Sequence, residues 1–154
     1  WSSDDAVASY LEKIVRKQAG DRSGLIYGMG HAVYTLSDPR AVMLKRSAKA
    51  LAEEKGFLEE FELIESVERL TPAVFTAVKG DRKVVSANVD LYSGFVYKML
   101  GIPAELCTPL FAIARIVGWS AHRIEELLTC GRIMRPAYKS IAENGVYVPI
   151  AERG

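Results

Sequence analysis

Apolar residues recur along this chain at helical rather than strand spacing. After Ser2-Ser3-Asp4-Asp5, the residues Val7, Tyr10, Leu11, Ile14 and Val15 share one helical face, and Gly20 follows as a stop. The polar start offers a side chain that can accept from an orphan backbone N–H, so a helix is predicted over 3–19. Ser37-Asp38-Pro39 next supplies a cap and a proline at the first helical position, ahead of Ala41, Leu44, Ala48, Leu51 and Ala52. Gly56 ends that second helix.

Phe57 to Leu70 repeats the pattern with Phe61, Ile64 and Val67. Thr71-Pro72 then predicts a separate short helix closing near Gly80, because proline fits the first turn of a helix and not its interior. Lys83 to Val89 reads as a connector, and Leu91 to Leu100 carries another apolar stripe, stopped by Gly101 and Pro103. Pro109 to Leu128 is apolar on nearly every face, which predicts a helix enclosed by other helices. Only Val146-Tyr147-Val148-Pro149-Ile150 reads as extended, and its proline confines it to an edge or a loop. The fold class is therefore all-α and multi-helical.

Length and composition narrow the function classes. With 154 residues the chain has the size of one domain, and a net charge of +1 gives no field to hold nucleic acid or an anionic membrane. Hydrophobic residues make up 49% and charged residues 25%, ordinary globular usage. Cys107 and Cys130 have only His31 and His122 for company, so neither a zinc site nor a disulfide framework is expected. No apolar run reaches the roughly 18 residues of a membrane span, and the N-terminus lacks a signal-peptide layout. A soluble, cytoplasmic protein is expected. The start at Trp1 reads as an excised segment.

Four places could carry chemistry. In Gly28-Met29-Gly30-His31 the glycines permit turns and close ligand approach, so His31 is either a ligand-facing histidine or a hydrogen-bonded structural one. Without a preceding strand or a third glycine this is no dinucleotide fingerprint. Arg40 falls in the first turn of a helix, where the dipole disfavours a cation. Either Asp38 or a bound carboxylate must offset that. Arg115 sits in Leu110-Phe111-Ala112-Ile113-Ala114-Arg115-Ile116-Val117, where a buried charge would need an anion opposite it, from a structural salt bridge or from a substrate carboxylate. Asp90 in Asn88-Val89-Asp90 is read either as a helix N-cap or as a base aimed into a cleft. Arg135 and His122 read more simply as surface residues.

Taken in order, Gly28-Met29-Gly30-His31-Ala32-Val33-Tyr34, Asp38-Pro39-Arg40, Asn88-Val89-Asp90-Leu91-Tyr92-Ser93-Gly94, Thr108-Pro109-Leu110-Phe111-Ala112-Ile113-Ala114-Arg115 and Arg135-Pro136 resemble the citrate synthase family. The resemblance runs from about residue 1 to 150. It implies residues 1–101 as the family's small domain and 102–154 as a C-terminal segment whose apolar helix joins the large domain. It also implies condensation of acetyl-CoA with oxaloacetate to citrate and CoA, a step of the tricarboxylic acid cycle. No metal or tightly bound cofactor takes part.

By resemblance, Asp90 matches the base that deprotonates the acetyl methyl group. His31 matches the histidine that polarises the oxaloacetate carbonyl, Arg40 and Arg115 the arginines that hold its carboxylates, and Arg135 the arginine donated across a homodimer. Gly28, Gly30 and Lys83 match the parts of the family that meet CoA. The family's other catalytic histidine, in a Leu-His-Gly-Gly-type motif, has no counterpart in this chain, so the segment alone is expected to be inactive. The resemblance extends equally to 2-methylcitrate synthase, which uses propionyl-CoA, and to a non-catalytic binding or assembly module of the same fold.

Overall fold

A computed structural model of the chain describes residues 1, 3–34, 36–80, 85–129 and 148–153. Among them are five helices: α1 (Asp4–Val15), α2 (Pro39–Lys55), α3 (Leu58–Lys79), α4 (Asp90–Met99) and α5 (Cys107–Leu128). Short 3₁₀ turns occupy Ala104–Leu106 and Ile150–Glu152. The only β-pairing among the described residues is a single antiparallel bridge between Met29 and Ala87, so the all-α class stands. None of the described helices is long and apolar enough to cross a membrane.

The predicted caps form. The Ser3 hydroxyl accepts from the Ala6 N–H, Asp38 accepts from the Arg40 N–H with Pro39 opening α2, and Gly56 ends α2 in the left-handed region at φ 77°. Helix α1 stops earlier than predicted. Lys17 adopts φ 63° and the Gln18 N–H turns back to the Lys13 carbonyl, which closes the helix well before Gly20. Tyr10 is exposed rather than core, its ring meeting that of Trp1 edge-on at 5.0 Å.

A larger departure concerns Pro72. The two helices expected over 57–80 are one, with Pro72 in its interior. Proline there removes the N–H that would bond the Glu68 carbonyl, at a cost of about 3 kcal/mol. Packing outweighs that loss. Leu63, Val67 and Leu70 before the proline, and Val74, Phe75 and Val78 after it, belong to one apolar cluster with Val7, Leu11, Val15 and Ile26. A break at Pro72 would split the stripe that covers α1. Buried Thr71 also donates its hydroxyl to the Val67 carbonyl at 2.6 Å, which satisfies that polar group inside the helix.

The opposite side of α3 meets a second cluster of Ala48 and Ala52 from α2, Phe61 from α3, and Tyr92, Phe95 and Met99 from α4. The two alanines let α2 and α4 approach closely around the aromatic rings, Phe61 lying 6.1 Å from Tyr92 and 6.4 Å from Phe95. Tyr92 is fully buried, and its hydroxyl donates to Glu68 at 2.6 Å. Lys45 bonds the same carboxylate at 2.8 Å and Glu65 at 2.9 Å. Burial lifts the Tyr92 phenol far above its ordinary range, with the Glu68 carboxylate adding to the effect, so the hydroxyl stays a donor. One polar group thereby ties three helices.

These elements make up one compact unit, Trp1–Ala112, and Ile113–Gly154 forms a second. Helix α5 was expected to be enclosed, yet none of its residues is buried within this chain. An all-round apolar helix reaches burial only against neighbours on several faces. The extended reading of 146–150 is corrected at its end, where Ile150 opens a 3₁₀ turn held by the Glu152 N–H on the Pro149 carbonyl. Val146 and Tyr147 lie outside the described residues.

If α3 is continuous because packing overrides its proline, Pro72→Ala restores a helix hydrogen bond and raises stability by about 1–3 kcal/mol, the gain being trimmed by the looser unfolded chain. Urea unfolding measures it. A lower or unchanged midpoint would support two helices meeting at Thr71-Pro72 instead.

Candidate active site

The site is built by two chain segments that cross, 26–34 and 85–90. The Gly30 N–H donates to the Ser86 carbonyl at 2.7 Å, and the Asn88 N–H donates to the Gly28 carbonyl at 2.9 Å. Side chains add to this. The Asn88 amide donates to the Gly30 carbonyl at 2.9 Å, and the Ser86 hydroxyl donates to the Tyr34 carbonyl at 3.3 Å. Gly28 makes the crossing possible: it holds φ 82°, and a Cβ there would stand 2.6 Å from the Leu91 Cα and 2.8 Å from the Leu91 nitrogen. Only a residue without a side chain can lie so close to the start of α4.

Asp90 opens α4, but it is not the cap. Val89 holds the N-cap position without a side-chain cap, and the Asn88 Oδ1 accepts from the Asp90 N–H at 2.9 Å in a side-chain turn that leads into the helix. The Asp90 carboxylate takes no part in that turn. It is exposed, and among the described residues it accepts no hydrogen bond and forms no ion pair.

His31 lies on the other segment. Its Nδ1 accepts from the Val33 and Tyr34 N–H groups, both at 3.0 Å, so the proton of the neutral ring sits on Nε2. Nε2 is 3.3 Å from the Asp38 Oδ2, and the Tyr34 ring tilts against the imidazole at 4.8 Å.

Asp38 is the hub. It is fully buried, and it takes the Arg40 N–H at 2.9 Å and the Arg40 Nε at 3.1 Å on Oδ1, with Arg40 Nη2 at 2.8 Å on Oδ2. The bonds from Arg40, opposed by burial and helped by the nearby His31, hold its carboxyl down at about 2. It is thus ionised across the neutral range. Arg40 is in turn held above its usual value, first by Asp38 and more weakly by Tyr34 and Asp90. The Asp90 carboxylate therefore acts on Arg40 through space, and the Arg40 side chain remains three-fifths exposed.

Of the residues singled out from sequence, the structure brings His31, Arg40 and Asp90 into one neighbourhood around the glycine pair Gly28 and Gly30. Arg115 belongs to the second unit. The expectation that Arg115 is buried is corrected, for it is exposed on a helix with no buried residue, and the burial cost argued for it does not arise. His122 is a surface residue, 3.8 Å from the equally exposed Glu125. Lys83 and Arg135 lie outside the described residues. Two contributors escaped the sequence reading: Asn88 as the side-chain turn into α4 and the crosslink, and Asp38 as a buried hub rather than a mere cap. The Asn at two positions before Asp90 and the Asp two before Arg40 were the available signals, since both spacings suit side-chain-to-backbone turns.

Comparison with known proteins gives the family. Residues 1–137 match the family described as citrate synthase, C-terminal domain. The chain is 40% identical to a citrate synthase of Synechocystis over 153 residues, which are 98% of this chain and 36% of that protein. Among solved structures, the citrate synthase of Thermotoga maritima is similar with a TM-score of 0.62 at 34% identity, over 99% of this chain and 39% of the other. A citrate synthase of Thermoplasma acidophilum, solved as a ternary complex with carboxymethyl coenzyme A and oxaloacetate, is similar with a TM-score of 0.60 at 33% identity, over 97% and 42%. The chain spans little more than a third of the curated relatives it matches. This chain belongs to the citrate synthase family.

Proposed function

We propose that the full-length protein carrying this chain condenses acetyl-CoA with oxaloacetate to give citrate and CoA. The observation that carries this reading is the crossing of the two segments. It leaves an Asp90 carboxylate that has no hydrogen-bond or ion-pair partner among the described residues and acts on Arg40, with His31 beside the same Asp38 hub, in a member of this family. The ternary complex of the Thermoplasma acidophilum relative supports the choice of substrates.

A methyl group next to a thioester is a very weak acid. Removing its proton takes a base fixed close to it and donors that meet the charge developing on the thioester oxygen. Asp90 takes that proton and leaves an enol nucleophile. His31, with Nδ1 engaged by backbone amides, donates from Nε2 to the keto oxygen of oxaloacetate and draws electrons from the carbon under attack. Arg40 and Arg115 pair with the two carboxylates, for which the planar guanidinium fork is suited. Once the carbon–carbon bond has formed, water cleaves the thioester and releases CoA.

In this reading Arg135 comes from the other subunit of a homodimer. Lys83 and the backbone at Gly28 and Gly30 meet CoA, and acetyl-CoA is a substrate with no tightly bound cofactor required. A pocket separates acetyl from propionyl by only about 1–3 kcal/mol, so a propionyl-CoA specificity belongs to the same chemistry.

In the full-length enzyme, Asp90→Asn lowers kcat by about 10²- to 10⁴-fold in a thiol-release assay, the range of a lost general base, and a loss below about tenfold would remove Asp90 from that role. Running the unmodified enzyme with both thioesters decides the acyl preference. The 154-residue chain alone, which lacks the Leu-His-Gly-Gly-type histidine, releases no CoA from the same substrates; measurable turnover would show that histidine to be dispensable. It also self-associates through its uncovered α5 face, which a monodisperse monomer in light scattering at micromolar concentration would contradict.

A further inference from the structure

We infer that Asp38 is a positioning residue of the keto-diacid site, its buried carboxylate fixing the Arg40 guanidinium and the His31 ring so that both face one ligand. This rests on the proposed roles of Arg40 and His31 in holding oxaloacetate. It adds a residue to which that reading gave no part.

The cap alone does not account for Asp38. Capping α2 needs one acceptor, and Oδ1 provides it to the Arg40 N–H. Serine or asparagine would cap as well without burying a charge. The second oxygen does something else: Oδ2 takes Arg40 Nη2 at 2.8 Å and stands 3.3 Å from His31 Nε2. Arg40 thus lies with Nε and Nη2 along the carboxylate, a fork-to-fork pairing that stops the side chain from sampling other rotamers. Its exposed remainder stays available to a second anion.

His31 is gripped from two sides. The Val33 and Tyr34 amides fix Nδ1, and Asp38 flanks Nε2. The contact to Nε2 falls short of a well-aligned hydrogen bond, so the Nε2–H, whose direction is set by the ring, is left open to a keto oxygen. Asp38 is shut off from solvent, so it acts on ligand through Arg40 and His31 and not by touching it.

Asn separates the two duties of Asp38. It keeps an oxygen for the Arg40 N–H, but its amide would set N–H donors against Arg40 Nη2, from which the second oxygen now accepts, and against His31 Nε2 beside it. In the full-length enzyme, Asp38→Asn is expected to melt cooperatively and to lose about 10- to 100-fold in kcat/KM for oxaloacetate, the scale of a small misplacement of reacting groups. The KM for acetyl-CoA is expected to stay within about twofold, because the thioester side of the site is untouched. That split between substrates is what a purely structural cap would not produce. If Asp38→Asn does not fold, Asp38→Ser, which caps with a hydroxyl and brings no opposing amide, carries the same comparison. A folded variant with unchanged kinetics toward oxaloacetate overturns the inference and leaves the proposed reaction intact. An unmodified enzyme that releases no CoA from either thioester overturns the proposed reaction, and this inference with it.

Discussion

The arrangement depends on one close approach of backbone to backbone, Gly28 against the first residues of α4. With a Cβ at Gly28 the two segments could not cross where they do, and the bonds that run between 28–34 and 86–88 would have no geometry in which to form. Each such bond contributes only about 1 kcal/mol net. Their value lies in register: they set the start of α4, and hence Asp90, against the loop that carries His31. The hydrophobic clusters on both sides of α3 supply the bulk of the stability, while this crossing supplies position.

Charge placement follows from the same crossing. Asn88 spends its Oδ1 on the Asp90 N–H and its amide on the Gly30 carbonyl, so one side chain both satisfies the first N–H of α4 and joins the loops. Asp90 is then an acidic residue in the first turn of α4. Arg40 occupies the equivalent, unfavourable position for a cation, and the buried Asp38 offsets that with a charge-assisted pair. An anion from outside can add to Arg40 because Asp38 engages only part of the guanidinium. A guanidinium held by one carboxylate and exposed on its other side can receive a second anion.

Much of this was legible in the sequence, and the parts that were not share a cause. Helix starts at Ser3 and Pro39 and the stop at Gly56 are local events, set by residues within a turn of one another, and they read correctly. Pro72 misled because its local preference was overruled by a stripe of contacts with α1, more than fifty residues away in the chain for most of its members. Asp90 was open between cap and base; its N–H is taken by the Asn88 Oδ1, and the Asn88 amide is engaged by the returning 26–34 segment, a contact that local sequence does not show. The oddness of an arginine at the start of a helix was visible, and so was its partner Asp38. That Asp38 would be fully buried and shared with His31 was not, since burial is settled by tertiary packing. For Arg115 an apolar neighbourhood in sequence was taken for one in space, yet α5 buries none of its residues within this chain.

The central claim is that one crossing of two segments gathers His31, Arg40 and Asp90 around a single ligand position. A crystal structure of the full-length enzyme with oxaloacetate tests it most directly. The account predicts the keto oxygen within hydrogen-bond distance of the His31 Nε2, a carboxylate of the ligand on Arg40, and the Asp90 carboxylate opening onto the same cavity. An oxaloacetate held elsewhere, or an Asp90 facing a surface that neither His31 nor Arg40 shares, would contradict it.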